Sequence, residues 1–479
     1  MAKRKLNLVP SSFTKLFVLL LSLEFAMAGT TIKFLPGFQG PLPFEFETGY
    51  IGVGESEEVQ LFYYFVKSES NPKLDPLILW MTGGPGCSSF TALAYEFGPI
   101  MFEDVEESGR LPRLVLNPNS WTEVASFIFL DTPAGTGFSY ATNPEALKSN
   151  TMSACNEVHE FIRKFLIQHP EFISNPFYVG GDSFSGLIVP IVTELISKGN
   201  ENGAQPPIDL KGYLLGNPVT VPTDNNYQVP FVHGMGILSD ELYESLKTNC
   251  KENYQDIDPS NLQCADDLKA FYPLLRHLSI ANILEPSCPS PMSKDMNSDG
   301  SLEKGFLELK RPKKMWCRDE GYYFSHTWSN ADAVRDALQI RKVLSMPFTT
   351  TVRDCVPYHA NLSKKGYRSL IYRFEVDSIF LTVNSTSVFG DHDLIVPFLA
   401  TEAWIKSLNY PIIDDWRQWC VEVQVAGYTR KYAHQMTYAT VKARRLLMVL
   451  TLGGGHTAPE YRPVECKAMF KRWISIDAL

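Results

Sequence analysis

Residues 177–196 read "FYVGGDSFSGLIVPIVTELI": an apolar run, a turn of small and polar residues, then a longer apolar run. Strand-like text that turns through glycine and serine into helical text puts Ser183 where a strand hands over to a helix, an exposed position suited to a nucleophilic hydroxyl. Taken alone, Gly181-Asp182-Ser183-Phe184-Ser185 is a weak match to such an elbow, because Ser185 replaces the usual final glycine. The turn requires small residues two places on either side of the nucleophile, since neighbouring backbone passes close by, and serine is small enough.

The text around this stretch alternates strands and helices. From Gly49 to Trp80 the runs "VQLFYYFV" and "PLILWMT" alternate in strand fashion and predict an antiparallel start. Then "SFIFLDTPAGTGFSY", helical text from Cys155 to His169, "FYVGG", a helix from Leu187 to Ser197 and "LKGYLLGNP" predict a mixed, mostly parallel sheet flanked by helices, an α/β protein. Residues 223–317 differ: they are rich in Asn, Asp and Lys, carry Cys250, Cys264 and Cys288, and include a polar linker near 290–314. They are expected to form an inserted, mainly helical cap, with the core made of residues 29–222 and 318–479.

With 479 residues, 44% of them hydrophobic, the chain can bury a large core. Lys3, Arg4 and Lys5, an apolar stretch and the small residues Ala26 and Ala28 predict a signal peptide over residues 1–28 and a mature protein in the secretory pathway, extracellular or vacuolar. The apolar stretch is shorter than the roughly 20 residues of a membrane span, so no membrane partner is expected after cleavage. Nine cysteines suit a disulfide-forming compartment, and their lack of C-x-x-C spacing argues against zinc. Asn361-Leu-Ser and Asn384-Ser-Thr are glycosylation sequons. A net charge of −9 without a basic cluster argues against nucleic acid. No cofactor and no metal are expected.

A serine hydrolase on an α/β sheet needs an acid and then a histidine later in the chain. "GDHDLIVP" offers Asp391 and Asp393, and "LGGGHTAPEY" offers His456, each on a turn after strand-like text. Separately these are a turn residue and one of nine histidines; in this order they form a triad. "LILWMTGGPGCSS" (residues 77–89) adds a strand ending in a glycine turn whose backbone N–H groups are free to bind an oxyanion.

Together, "GGPGCSS", "NPNSW", "LDTPAGTGFSY", "GGDSFSG", "LLGNP", "GDHDLIVP" and "GGGHTAPEYRP" resemble the serine carboxypeptidase family of α/β-hydrolases, especially its plant carboxypeptidase-like branch. The resemblance implies Ser183 as nucleophile, His456 as base, Asp393 rather than Asp391 as acid, and the N–H groups of Gly84 and Phe184 as oxyanion hole. It also implies a Cys87–Cys317 disulfide, with Cys250–Cys264 as the expected second bridge. In peptide-cleaving members an asparagine before "GGPG", a glutamate before the nucleophile and a glutamate at the place of Glu96 bind the substrate carboxylate beside Gly83. Here Thr82 and Asp182 stand in the first two places. Each lost hydrogen bond to a charged group costs about 1.5–3 kcal/mol, so peptide capture is expected to be impaired. Threonine with aspartate resembles the branch that moves acyl groups from 1-O-glucose esters to alcohols or amines in plant secondary metabolism. The alternatives are a true carboxypeptidase acting on peptide C-termini and an inactive homologue.

Two stretches depart from the family text: residues 373–389 before "GDHD" and residues 443–452 before "GGGH". The text reads continuously without them, so both are expected to be absent from the active form. The apolar "RLLMVLTL" is a candidate to displace "MTYATVK" as core strand.

Overall fold

The apolar runs assemble into a twelve-stranded sheet. A computed structural model of the chain describes residues 29–103, 110–285, 287, 318–341, 347–375, 392–442 and 455–479. Residues 1–28, the polar linker, Cys288, Cys317, Asn384 and Asp391 lie outside the described residues. In chain order the strands are β1 (Thr30–Thr31), β2 (Phe46–Val53), β3 (Val59–Val66), β4 (Leu77–Met81), β5 (Ser126–Leu130), β6 (Tyr140–Ala141), β7 (Phe177–Asp182), β8 (Leu210–Gly216), β9 (Arg368–Glu375), β10 (Ile412–Val421), β11 (Gln424–Tyr432) and β12 (Met436–Lys442). In space they run β1-β2-β3-β5-β4-β7-β8-β9-β12-β11-β10, with β6 beside β3. The stretch from β5 to β12 is parallel, and both flanks are antiparallel.

One expectation is corrected here. The β4 run "LILWM" belongs to the parallel part, between β5 and β7, and not to the antiparallel start. The reason is visible in its composition: Leu77, Leu79 and Met81 pack into one hydrophobic layer while Ile78 and Trp80 pack into the other. A strand apolar on both faces must be covered on both faces, which is the condition of a parallel strand between helix layers.

The helices supply that cover. They are α1 (Thr151–Gln168), α2 (Val189–Glu201), α3 (Gln228–Gly234), α4 (Asp240–Cys250), α5 (Leu262–Leu275), α6 (Arg318–Ser329), α7 (Asp332–Ala337), α8 (Val356–Lys364), α9 (Phe398–Ser407), α10 (Ala458–Tyr461) and α11 (Pro463–Ile474). The start of α1 is set by Asn150, whose side chain accepts from the Met152 and Ser153 N–H groups while Ser153 accepts from Asn150 N–H, a cap contributing about 1 kcal/mol. Phe161 of α1, Val192 of α2 and Leu362 of α8 cover one face of the sheet. Phe470 of α11 covers the other, stacked 4.3 Å from Trp121.

Within 223–285, helices α3, α4 and α5 enclose a third core built on Val229, Leu246, Leu268 and Phe271. Cys250 and Cys264 are joined, as expected, and tie α4 to α5. Closing a loop of that length contributes about 3 kcal/mol. Cys87 has no disulfide partner among the described residues, and its expected partner Cys317 lies outside them. Asn361 is exposed on α8, with its side-chain N–H bonded to Glu194 at 3.1 Å.

The boundary of the first departing stretch also moves. Residues 373–375 are strand: Arg373, Phe374 and Glu375 extend β9 opposite Thr440, Val441 and Lys442 of β12. "MTYATVK" keeps its place as the core strand β12 beside β9, so "RLLMVLTL" does not displace it. The remainder of both stretches, 376–389 and 443–452, lies outside the described residues.

Candidate active site

β7 ends at Asp182, and the chain turns at once into a single 3-10 turn, Ser183–Leu187, before α2. Ser183 has φ 55°, a left-handed conformation that costs a non-glycine residue about 1–2 kcal/mol. Its carbonyl is held by Val219 N–H at 2.9 Å. A Cβ on Gly181 would lie 2.8 Å from Ser185 Cβ and 2.6 Å from Met81 O. Residues 181 and 185 therefore face each other, which is why both are small and why serine is accepted where glycine is usual.

Three side chains from distant parts of the chain meet at this elbow. His456 Nε2 lies 2.6 Å from Ser183 Oγ, and His456 Nδ1 lies 2.7 Å from Asp393 Oδ2. Asp393 Oδ1 accepts from the Ile395 and Val396 N–H groups at 2.9 and 3.1 Å, and Oδ2 accepts from Asn217 Nδ2 at 2.8 Å. Neither departing stretch separates the three side chains.

The charges are set by these contacts. Burial alone pushes Asp393 up, but His456, then Arg373 and Asn217, hold it below the usual carboxylate range. Burial pushes His456 down; Asp393, with a smaller contribution from Asp182, overrides this and raises it, while Arg373 opposes. Such a serine–imidazole–carboxylate chain can deprotonate the hydroxyl as it attacks an acyl carbon.

The glycine turn lies against the elbow. A Cβ on Gly83 would sit 2.6 Å from Phe184 N, and Gly84 has φ +113°, a conformation open to glycine. Phe184 N–H belongs to the first turn of a helix, where backbone donors have no intrahelical partner. The glycine turn thus brings Gly84 close to the Phe184 N–H. Asp131 fastens this turn: it accepts from Ser88 Oγ, Ser89 N–H and Phe138 N–H at 2.7, 3.0 and 3.0 Å.

Beside the elbow is a small, narrow cleft lined by Thr82, Gly83, Phe184, Ser185, Ile188 and Phe348. Asp182, which precedes Ser183, and Glu96, which feels the Asp182 charge, are both buried. Thr82 Oγ1, Asp182 Oδ1 and both Glu96 oxygens have no hydrogen-bond partner among the described residues. Burial pushes Asp182 up to about 6, moderated by His456 and the Gly83 N–H. Burial, then Asp182 and Glu460, push Glu96 far above the usual range. Glu96 closes a π-helical turn, Ala92–Glu96, an irregularity often found at functional sites.

Several groups that hold the site were not identified from the sequence. Asn217 and Asp131 sit in the quoted motifs "LLGNP" and "LDTPAG", so a signal existed without a role. The segment after α5 left no signal, because it works through backbone: Ala281 O accepts from His456 N–H at 2.8 Å, Ile280 O from Leu394 N–H at 2.9 Å, and Ile283 N–H donates to His392 O at 3.0 Å. Arg318 extends this clamp, bridging Glu285 at 3.0 Å to Glu460 at 2.7 Å. The cap thus holds both the acid turn and the histidine turn.

The sheet order and the three side chains at the strand ends define an α/β-hydrolase with a serine–histidine–aspartate site. The chain belongs to the serine carboxypeptidase family, whose pattern matches residues 36–476. It is 47% identical over 473 residues to serine carboxypeptidase-like 11 of Arabidopsis thaliana, covering 96% of this chain and 98% of the relative. It is 46% identical over 478 residues to serine carboxypeptidase-like 12 of the same plant, covering 97% and 99%. Among solved structures it is similar in fold to Kex1(delta)p, a prohormone-processing carboxypeptidase from Saccharomyces cerevisiae, at 18% identity and a TM-score of 0.68, covering 94% and 96%.

Proposed function

We propose that this enzyme transfers an acyl group from a 1-O-glucose ester to an alcohol or amine, through an acyl-serine on Ser183. His456 Nε2 takes the Ser183 proton as Oγ attacks the ester carbonyl, and returns it to the departing glucose oxygen. The oxyanion rests on the N–H groups of Gly84 and Phe184. The acceptor then loses its proton to His456 and attacks the acyl carbon, breaking its bond to Ser183 Oγ, which takes the proton back from His456 as the new ester or amide leaves. Asp393 keeps the imidazole in the tautomer that accepts at Nε2.

The observation that carries this reading is a set of buried oxygens near Ser183 without partners among the described residues: Thr82 Oγ1, which lines the cleft, Asp182 Oδ1, which immediately precedes the nucleophile, and the Glu96 carboxyl, which Asp182 influences. A buried polar group without a partner costs about 1–3 kcal/mol, and sugar or acceptor hydroxyls, each both donor and acceptor, satisfy such a set. Thr82 lacks the amide that would clamp a peptide carboxylate. The test is incubation of secreted protein with a glucose ester plus alcohol and, separately, with a blocked dipeptide. New ester with little dipeptide cleavage supports transfer; the reverse result removes it. Thr82→Asn with Asp182→Glu is expected to raise dipeptide hydrolysis relative to transfer by at least about tenfold, measured as the ratio of the two kcat/KM values.

Carboxypeptidase action is the second reading. It is favoured by the raised Glu96 carboxyl and by Asp182, raised to about 6; in acid both are able to donate a proton to a substrate carboxylate.

The proposed compartment is the secretory pathway, ending outside the cell or in the vacuole, in keeping with the Cys250–Cys264 bridge. An acidic lumen also suits the stability expected of the fold. Burial raises Asp131 and Glu157 to about 7 and Asp182 and Asp224 to about 6. Between about pH 4 and 7 the folded chain holds protons that the unfolded chain has released, so these groups favour folding at acid pH and lose that contribution as pH rises. His359, buried and pushed down to about 3, and His159, also pushed down by burial, act in the opposite sense but are two groups against these four. The melting temperature is expected to be several degrees higher at pH 5 than at pH 7.5, measured by scanning calorimetry.

A further inference from the structure

We propose that Arg373 is a positioning residue for the triad: its buried guanidinium joins β9, the acid turn and α9, and so fixes the Asp393 carboxylate that orients His456. The inference rests on the triad and not on the identity of the acyl acceptor.

Arg373 is the sixth residue of β9, one place beyond the family-like "LIY", and its side chain is fully buried. A guanidinium in such a place must be paired, or it costs several kcal/mol. Its Nη1 donates to Thr401 Oγ1 of α9 at 2.6 Å, and its Nη2 donates to the Val396 carbonyl. Nη2 also lies 3.6 Å from Asp393 Oδ2, with both side chains buried. One planar fork therefore joins β9, the acid turn and α9. Val396 is gripped twice: its N–H holds Asp393 Oδ1 and its carbonyl takes Arg373. The carboxylate that orients His456 is fixed on a strand-anchored cation.

The same placement acts electrostatically. A cation behind Asp393 favours the carboxylate and opposes a second positive charge on His456. Asp393 and Asp182 face His456 and favour its protonation, and Arg373 works against them. Around Arg373 itself stand Asp393, Asp224 on the turn before α3 and Glu402 on α9, each drawn down by it. Thr440, its register partner on β12, carries no charge.

The test is the pH dependence of kcat/KM for p-nitrophenyl acetate hydrolysis, which reads the triad whether or not glucose esters are substrates. Arg373→Gln removes the charge while keeping an amide donor near Val396 and Thr401. Its acid limb is expected to move up by about half to one pH unit, a loss of about 3- to 10-fold at pH 5 beyond any loss at pH 8. Arg373→Lys keeps the charge but not the fork. Its limb is expected to stay in place, with kcat reduced and KM unchanged. An unmoved limb in a folded Arg373→Gln variant overturns the proposal. Should Arg373→Gln fail to fold, Arg373→Lys decides: kcat equal to that of the parent enzyme at every pH overturns it, and reduced kcat with the limb in place supports it. Transfer from a glucose ester, assayed separately on the same proteins, shows whether the acceptor reading fails independently.

Discussion

Ser183→Ala is expected to lower ester turnover about 10⁶-fold, the loss typical when the nucleophile of a serine hydrolase is removed. The base is aimed at this hydroxyl: His456 Nε2 meets Ser183 Oγ at 2.6 Å, while Ser185 Cβ lies against Gly181. The fold should survive the change. Alanine meets the same left-handed backbone cost as serine at φ 55°, and the Val219 N–H bond to the residue 183 carbonyl needs no side chain. A residual rate of about 10³–10⁴ over water is expected from the oxyanion position alone. The check is kcat/KM on a p-nitrophenyl ester with the melting temperature measured in parallel, and labelling by a phosphonylating reagent. Retention of more than a percent of activity, or labelling of the alanine variant, places the nucleophile elsewhere.

Asp393→Asn is expected to cost about 10⁴-fold in kcat, through tautomer and not through packing. Asp393 accepts from the Ile395 and Val396 N–H groups on Oδ1, and from Asn217 and His456 on Oδ2. Asparagine has one acceptor oxygen. With that oxygen kept by the Ile395 and Val396 N–H groups, its NH₂ faces His456 Nδ1, which must become the acceptor. The ring proton then moves to Nε2 and points at Ser183 Oγ, so the base cannot take the serine proton. The expected signature is a large kcat loss with KM nearly unchanged and partial recovery at high pH. A loss smaller than about tenfold would show that Asp393 does not orient the base.

How much of this was legible in the sequence depends on the range of the interaction. The elbow was, because strand, turn and helix signals are local and Gly181 and Ser185 lie within a few residues of Ser183. The three triad members were legible as well, through residue type and order. The direction of β4 was not, since "LILWM" pairs with β5 and β7, some 50 and 100 residues away. The length of β9 was not either. Its text stops resembling the family at Tyr372, but the ladder to β12 carries it to Glu375, which turns Arg373 from apparent surplus into a buried partner of the acid turn.

Residue type determines which bonds a side chain is able to make, and the sequence alone indicated the serine elbow, the histidine and aspartate that meet it, the glycine turn and the Cys250–Cys264 bridge. The tertiary structure decided their electrical state. Whether Glu96 and Asp182 hold protons, whether His456 is raised or lowered, and whether Arg373 is surface or core all depend on burial and on charges contributed by strands far apart in the chain. Desolvation and Coulomb interaction act through space, and a one-dimensional pattern of residue types does not contain the distances that set them.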